Sequence, residues 1–374
     1  MRPIPLVDLP AEDALVGDAV RAAVARVADA QEFILGDEVA RFERSIAERV
    51  GVPEAVGVAN GSDALVLALT AAGVGPGDEV VTTALSYFAT AGAIVRVGAT
   101  PRFADVAEGS FNVDAASLER VTTAKVRAFV PVHLFGRVAP MPEILELATT
   151  RGLAVIEDAA QAIDAELDGV RAGAFGDFGC LSFHPSKNLG GWGDGGMVLC
   201  RRAEDAPRLR RLRAHGGYAG VHDEVGMNSR LDALQAAVLA AKLSFLERFG
   251  AMRRERARRY RELFCAARLE DVVRVPEAPT VGTEVVHHFV VRCVRRDALR
   301  EHLFLRGIGV GVYYPRPLHL QPCFASLGGR EGDCPNAEAV CRDALSLPMS
   351  PGLEPSDQER VVSAIREFYR GAAP

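Results

Sequence analysis

Between residues 153 and 161 the chain reads LAVIEDAAQ, an apolar run that closes on Glu157 and Asp158. Consecutive apolar residues without polar alternation describe a strand buried on both faces, as in a parallel sheet. Asp158 then falls at the carboxyl end of that strand, where open α/β sheets hold their ligands. Residues 180–196 read CLSFHPSKNLGGWGDGG, with Lys187 between Pro185 and a glycine-rich run. Proline and glycine on either side fix a backbone path, which is not the setting of a solvated helix lysine.

Working outward, AVGVANGSDALVLALTAAG (55–73) reads as a strand, a glycine-containing turn and a helix, and DEVVTTA (78–84) as a second strand opened by the PGD turn at 76–78. IVRVGA (94–99) and VRAFVPVH (126–133) read as further strands, with helices over 86–93 and 140–151 between them. Before these, residues 18–50 have helical spacing broken near Ile34–Leu35–Gly36. Strands alternating with helices predict an α/β fold with a mostly parallel central sheet covered by helices. A long helical pattern over 231–263, broken or bent near Gly250, leads to HHFVVRC (287–293) and IGVGVYYP (308–315), read as strands, and to helices over 336–345 and 356–370. The expected division is a large domain over 1–245, including the N-terminal segment, and a smaller α+β domain over 246–374.

At 374 residues, 49% hydrophobic and 25% charged, the composition is that of a folded globular protein. A net charge of -6, from 43 basic against 49 acidic residues, gives no electrostatic reason to bind nucleic acid. The basic stretch Arg208, Arg211 and Arg213 is a local feature, and the run between Arg253 and Arg259, in a helix-like segment, reads as a solvated face or partner contact. The start has no basic region followed by an apolar core, and no window of membrane-spanning length lacks charge, so a cytoplasmic protein without membrane contact is expected. The seven cysteines are scattered without a close CxxC pair, which argues against a disulfide framework or a metal site.

The chemistry-bearing residues compose one pocket. Asp158 has the position of an acid partner for a protonated pyridine nitrogen, with Gln161 close by, and Lys187 that of an amine forming an imine with a cofactor aldehyde. Asn60–Gly61–Ser62–Asp63 opens a helix whose free N–H groups, with the Ser62 hydroxyl, suit a phosphate, and Ser182 offers a second hydroxyl. Tyr87 can stack on a ring. Each has a plain alternative: helix caps at Asp158 and Ser62, core packing at Tyr87, a structural role for His184. Together they supply every contact that pyridoxal 5′-phosphate (PLP) requires.

NGSDALVLAL (60–69), GPGDEV (75–80), PVHLFG (131–136), VIEDAAQA (155–162), SFHPSKNLGGWGDGG (182–196), GMNSRLDALQAAVL (226–239), YYPRPLHLQ (313–321) and LSLPMSP (345–351) carry a resemblance to the DegT/DnrJ/StrS family of PLP-dependent sugar aminotransferases of fold type I. The resemblance runs from about residue 8 to 370 and implies the imine at Lys187, the pyridine contact at Asp158, the ring contact at Gln161, stacking by Tyr87, and phosphate contacts from Gly61, Ser62 and Ser182. It implies that Asn228 reaches the phosphate of the neighbouring subunit's cofactor, making a homodimer the smallest competent unit. Relatives that dehydrate deoxysugars carry histidine in place of the lysine, so Lys187 points to transamination. Met227, Ser229, Ala214 and Thr83–Ala84 depart from the common pattern and are expected to border the substrate side.

The implied reaction takes an amino group from an amino acid, L-glutamate by resemblance, through pyridoxamine 5′-phosphate to a keto-deoxysugar nucleotide at C3 or C4. His215, Tyr313, Tyr314, Arg316 and His319 are the candidate substrate contacts. The rivals are the same chemistry on a keto-cyclitol, a PLP-binding regulatory protein without turnover, and a cofactor-free binding module.

Overall fold

The structure is a computed structural model that describes residues 2–218 and 220–371. Seven strands form the central sheet: β1 (Glu54–Val58), β2 (Glu79–Thr83), β3 (Thr100–Ala104), β4 (Val126–Val130), β5 (Ala154–Asp158), β6 (Phe178–Ser182) and β7 (Gly196–Cys200), in the order β1-β7-β6-β5-β4-β2-β3. The strands from β3 to β6 pair in parallel, while β7 runs antiparallel to both its neighbours. Alternation along the strands sends Val80, Ala128, Ile156 and Val198 to one face, under helices Gly61–Ala71, Ala89–Arg96 and Ala206–Leu212. Their neighbours Val81, Phe129 and Val155 face the opposite layer with Met141, Ile144 and Ala148 of helix Met141–Arg151. Both faces are therefore covered, as the unbroken apolar runs require.

A second core gathers Tyr260, Phe264, Leu299, Leu303, Leu345, Val361 and Ile365 around a three-stranded antiparallel sheet, β8 (Val273–Arg274), β9 (Phe289–Cys293) and β10 (Ala344–Leu347). The chain start, read with the large domain, crosses to this core. Ile4 is buried in it and exchanges backbone hydrogen bonds with Gly307 and Gly309 at 2.8 and 2.7 Å. No helix among the described residues is long and apolar enough to cross a membrane.

Three of the elements read from the sequence take another form in the structure. IVRVGA is not a strand: Ala91, Ala93 and Ile94 are buried at helical spacing in Ala89–Arg96, Gly98 turns the chain at φ +84°, and β3 starts at Thr100. The long helical pattern does not bend at Gly250. It divides at Ser244–Phe245 into Ala233–Leu243 and Leu246–Ala267, just after Lys242 is tied to Glu12 and to Gly190 O in the large domain. IGVGVYYP makes only the isolated bridges Ile4–Ile308 and Gly311–Ser346.

The end of β5 is pinned from one side by Glu157, which is fully buried. Its carboxylate accepts from the backbone N–H groups of Gly173, Phe175 and Gly176 at 2.7 to 2.8 Å, and from His133 Nε2 at 2.7 Å. His133 Nδ1 accepts from Ala139 N, so the ring proton sits on Nε2 and faces Glu157. Glu157→Ala would orphan three backbone donors and a buried imidazole N–H, each costly without water. Urea unfolding is expected to show a loss of about 3 kcal/mol or more; a loss below about 1 kcal/mol would contradict this account of the strand end.

Candidate active site

Alternation along β5 turns Asp158 away from the Glu157 side and into a cavity of about 720 Å³. The strand end is locked to its neighbour, Asp158 N donating to Pro131 O at 2.9 Å and His133 N to Asp158 O at 3.0 Å. Oδ2 accepts from Thr90 Oγ1 at 2.7 Å and Oδ1 from Ala160 N at 3.2 Å, and the Thr90 hydroxyl lies 2.8 Å from that of Ser86. A buried carboxylate oriented by two donors is a fixed acceptor for one further cationic N–H.

Helix Gly61–Ala71 begins at the same cavity. Asn60 caps it, Oδ1 accepting from Asp63 N at 2.8 Å. Asp63 is held from behind by Ser229, whose hydroxyl donates to Oδ2 at 2.8 Å and accepts from Ala59 N at 3.2 Å. Gly61 is obligatory here, because a Cβ would come within 2.7 Å of Ser182 Cβ. The close approach sets Ser62 and Ser182 on the wall of one cavity at a helix N-terminus, a cradle for an anion.

The loop after β6 folds back on itself: Lys187 N donates to His184 O at 2.8 Å and Gly191 N to Phe183 O at 2.7 Å, while a Cβ at Gly190 would meet Pro185 O at 2.3 Å. Lys187 thereby lines the cavity, half-buried. Burial lowers its ammonium from the usual 10.5 to about 8, against the opposing pull of Asp158. The sequence holds only three lysines. Lys125 is exposed, and Lys242 is buried with its ammonium 2.5 Å from Glu12 Oε1, which leaves Lys187 as the amine in the cavity.

Gln161 bridges two distant segments, Oε1 accepting from Phe135 N at 2.8 Å and Nε2 donating to Tyr314 OH at 3.1 Å. Tyr87 is 61% exposed at the wall, its ring 6.3 Å from that of Tyr314, and Tyr313 stacks on His288 at 4.2 Å. The structure thus brings together Gly61, Ser62, Tyr87, Asp158, Gln161, Ser182, Lys187, Tyr313 and Tyr314. Asn228, His215 and Arg316 are exposed and outside the cavity lining. His319 is buried elsewhere, 3.1 Å from Glu338 Oε1. Three of the departures expected at the substrate side pack inward: Ser229 supports Asp63, Met227 joins the core under β1, and Thr83 Oγ1 accepts from Leu85 N. Sequence reading missed Thr90, Asp194, His287 and His288, all but Thr90 lining the cavity. Thr90 sits one helical turn after Tyr87 and the histidines form a dipeptide before β9, signals that became specific only once the chain was folded.

An anion cradle, a fixed carboxylate and a lysine amine of lowered basicity, in one cavity, fit the phosphate, ring nitrogen and aldehyde of PLP. The model of the DegT/DnrJ/EryC1/StrS aminotransferase family matches residues 16–366. A pleiotropic regulatory protein of Geobacillus stearothermophilus is 45% identical across 98% of this chain and 99% of its own. A UDP-N-acetyl-3-dehydro-alpha-D-glucosamine 3-aminotransferase of Acidithiobacillus ferrooxidans is 42% identical across 98% of each chain. The crystal structure of DesV from S. venezuelae in complex with a ketimine intermediate superposes with a TM-score of 0.95 at 40% identity, covering 98% of this chain and 99% of that one. With fold, cavity and sequence in agreement over nearly its whole length, the chain belongs to the DegT/DnrJ/EryC1/StrS aminotransferase family and is a PLP-dependent aminotransferase.

Proposed function

We propose that the protein moves an amino group from an amino acid, L-glutamate in the first instance, to C3 of a keto sugar linked to a nucleotide. The observation that carries the reading is the placement of Lys187, Asp158 and the Gly61–Ser62–Ser182 cradle around one cavity. When bound, PLP supplies the electron sink for the substrate carbon. Lys187 is the covalent anchor and, once released, the base that carries the proton; its lowered basicity leaves a usable fraction of free amine near neutral pH. Asp158 would pair with the ring nitrogen, Gln161 and Tyr87 would hold the ring, and the cradle would keep the phosphate in place.

The choice of C3 over C4 follows the similarity to the Acidithiobacillus aminotransferase, named for a 3-dehydro sugar on UDP. Tyr313 and Tyr314 are assigned to the substrate wall, with His215 and Arg316 as outer contacts; the burial of His319 against Glu338 suits packing instead. Asn228, exposed outside the cavity, is assigned to the neighbouring subunit's cofactor phosphate, which makes a homodimer the working unit. The seven unpaired cysteines suit a reducing, cytoplasmic setting. A second reading, PLP-dependent regulation without turnover, is favoured by the name of the Geobacillus relative.

The test is steady-state conversion of nucleotide-linked 3-keto and 4-keto sugars and a free keto-cyclitol with L-glutamate, followed by mass spectrometry. Amination of the 3-keto nucleotide sugar is expected. Turnover of the cyclitol alone would move the acceptor class, and absence of amino exchange with any donor would favour the regulatory reading. Lys187→Ala is expected to lower exchange by about 10³-fold or more, and Asp158→Asn by about 10²-fold with the cofactor still attached; wild-type rates in either would remove that residue from its role. Because only the free amine attacks an aldehyde, the rate at which apoprotein takes up PLP is expected to rise with pH and level off above about 8. A rate still climbing steeply past pH 10 would show Lys187 to be an ordinary lysine.

A further inference from the structure

Lys187 is followed by Asn188, a buried residue whose side chain is bound by the small domain rather than by its own loop. Its Nδ2 donates to Val285 O at 3.0 Å, and its Oδ1 lies 3.0 Å from His287 Nδ1. A backbone carbonyl accepts only, so the first contact fixes which end of the amide faces it; the amide oxygen also accepts only, so the second places the imidazole proton on Nδ1. His287 is held in turn by its backbone, its N donating to Phe135 O at 2.9 Å, and Phe135 N donates to Gln161 Oε1 at 2.8 Å. Its ring lines the cavity together with Lys187. The clamp is thus continuous from Val285 through Asn188 and His287 to the residue that spans toward Tyr314.

We propose that His287 is a positioning residue for the transamination: its Nδ1–H clamps Asn188 and so holds the Lys187 backbone against the small domain, keeping the lysine amine over the cofactor site and away from bulk water. The proposal rests on Lys187 as the cofactor-bearing lysine. Besides His287, the ionisable groups lining the cavity around Lys187 are Asp158, Asp194, Asp63, Arg96, His184, His288, Tyr87, Tyr313 and Tyr314, and Arg253 lies behind the histidine pair. Burial, with His288 and Lys187 next in weight, keeps His287 well below the usual histidine range, so it stays neutral and the clamp does not open on mild acidification. Slackening the clamp lets the lysine reach water, which restores the solvation of its charged form.

The experiment titrates Lys187 in the apoprotein with an amine-acylating reagent over a pH series, counting the labelled Lys187 peptide by mass spectrometry against exposed Lys125. In the unaltered chain the midpoint is expected at about 8. His287→Ala is expected to raise it by about one pH unit or more, cutting the free amine at pH 8 about fivefold. Asn188→Ala should do the same, and carries the test if His287→Ala does not fold. His287→Asn, whose amide nitrogen can take the place of Nδ1, should restore the original midpoint. An unmoved midpoint in the alanine variants, or an equal rise in His287→Asn, would overturn the clamp. Failure of the underlying lysine assignment is read separately, as retained cofactor attachment in Lys187→Ala.

Discussion

The structure depends on what happens at the carboxyl end of β5, where two adjacent carboxylates are taken out of water. Alternation along a strand sends them to opposite faces. Glu157 spends its charge on three backbone N–H groups and His133, tying the loop at 173–176 and the turn after β4 to the sheet. Asp158, on the other side, receives only Thr90 and Ala160 N and keeps acceptor capacity for the cavity. The first residue is structural and rigid so that the second can be functional and exact in place, the condition for electrostatic preorganisation.

The rest of the site follows from the same economy of charge. Around Lys187 the one acidic influence that favours its charged form is Asp158, and burial outweighs it. The neighbouring imidazoles are kept neutral by burial, His287 with its proton committed to Asn188 and His288 stacked on Tyr313. An amine in such surroundings is a better nucleophile near neutrality than a surface lysine. A phosphate held at the proposed cradle would meet backbone N–H groups and hydroxyls, in an arrangement that exists because Gly61 lets Ser182 approach.

Much of this was legible in the sequence because the signals are local. A strand run ending in Asp158, a helix opening at Asn60–Gly61–Ser62, and a lysine between proline and glycines each state their own geometry, and the mostly parallel character of the sheet follows from the alternation of strands with helices. What was not legible depends on pairing across distance. IVRVGA has the composition of a strand, yet its first three residues end the helix Ala89–Arg96, whose Ala93 and Ile94 pack with the helix at 61–71. IGVGVYYP has the pattern of a strand and makes only single bridges, to Ile4 and to Ser346. Thr90, His287 and His288 carry no motif of their own, and the Asn188–His287 contact joins residues 99 positions apart. Ser229 looked like a substrate-side change and is a buried support for Asp63, a role visible only when both are placed.

The measurement that bears most directly on the central claim is borohydride reduction of the PLP-loaded protein followed by peptide mapping. With only three lysines in the chain, the outcome is close to binary. The account predicts the reduced cofactor on the peptide containing Lys187, at about one per chain and nowhere else. Label on Lys125 or Lys242, or a protein that binds the cofactor and takes no label, would contradict it.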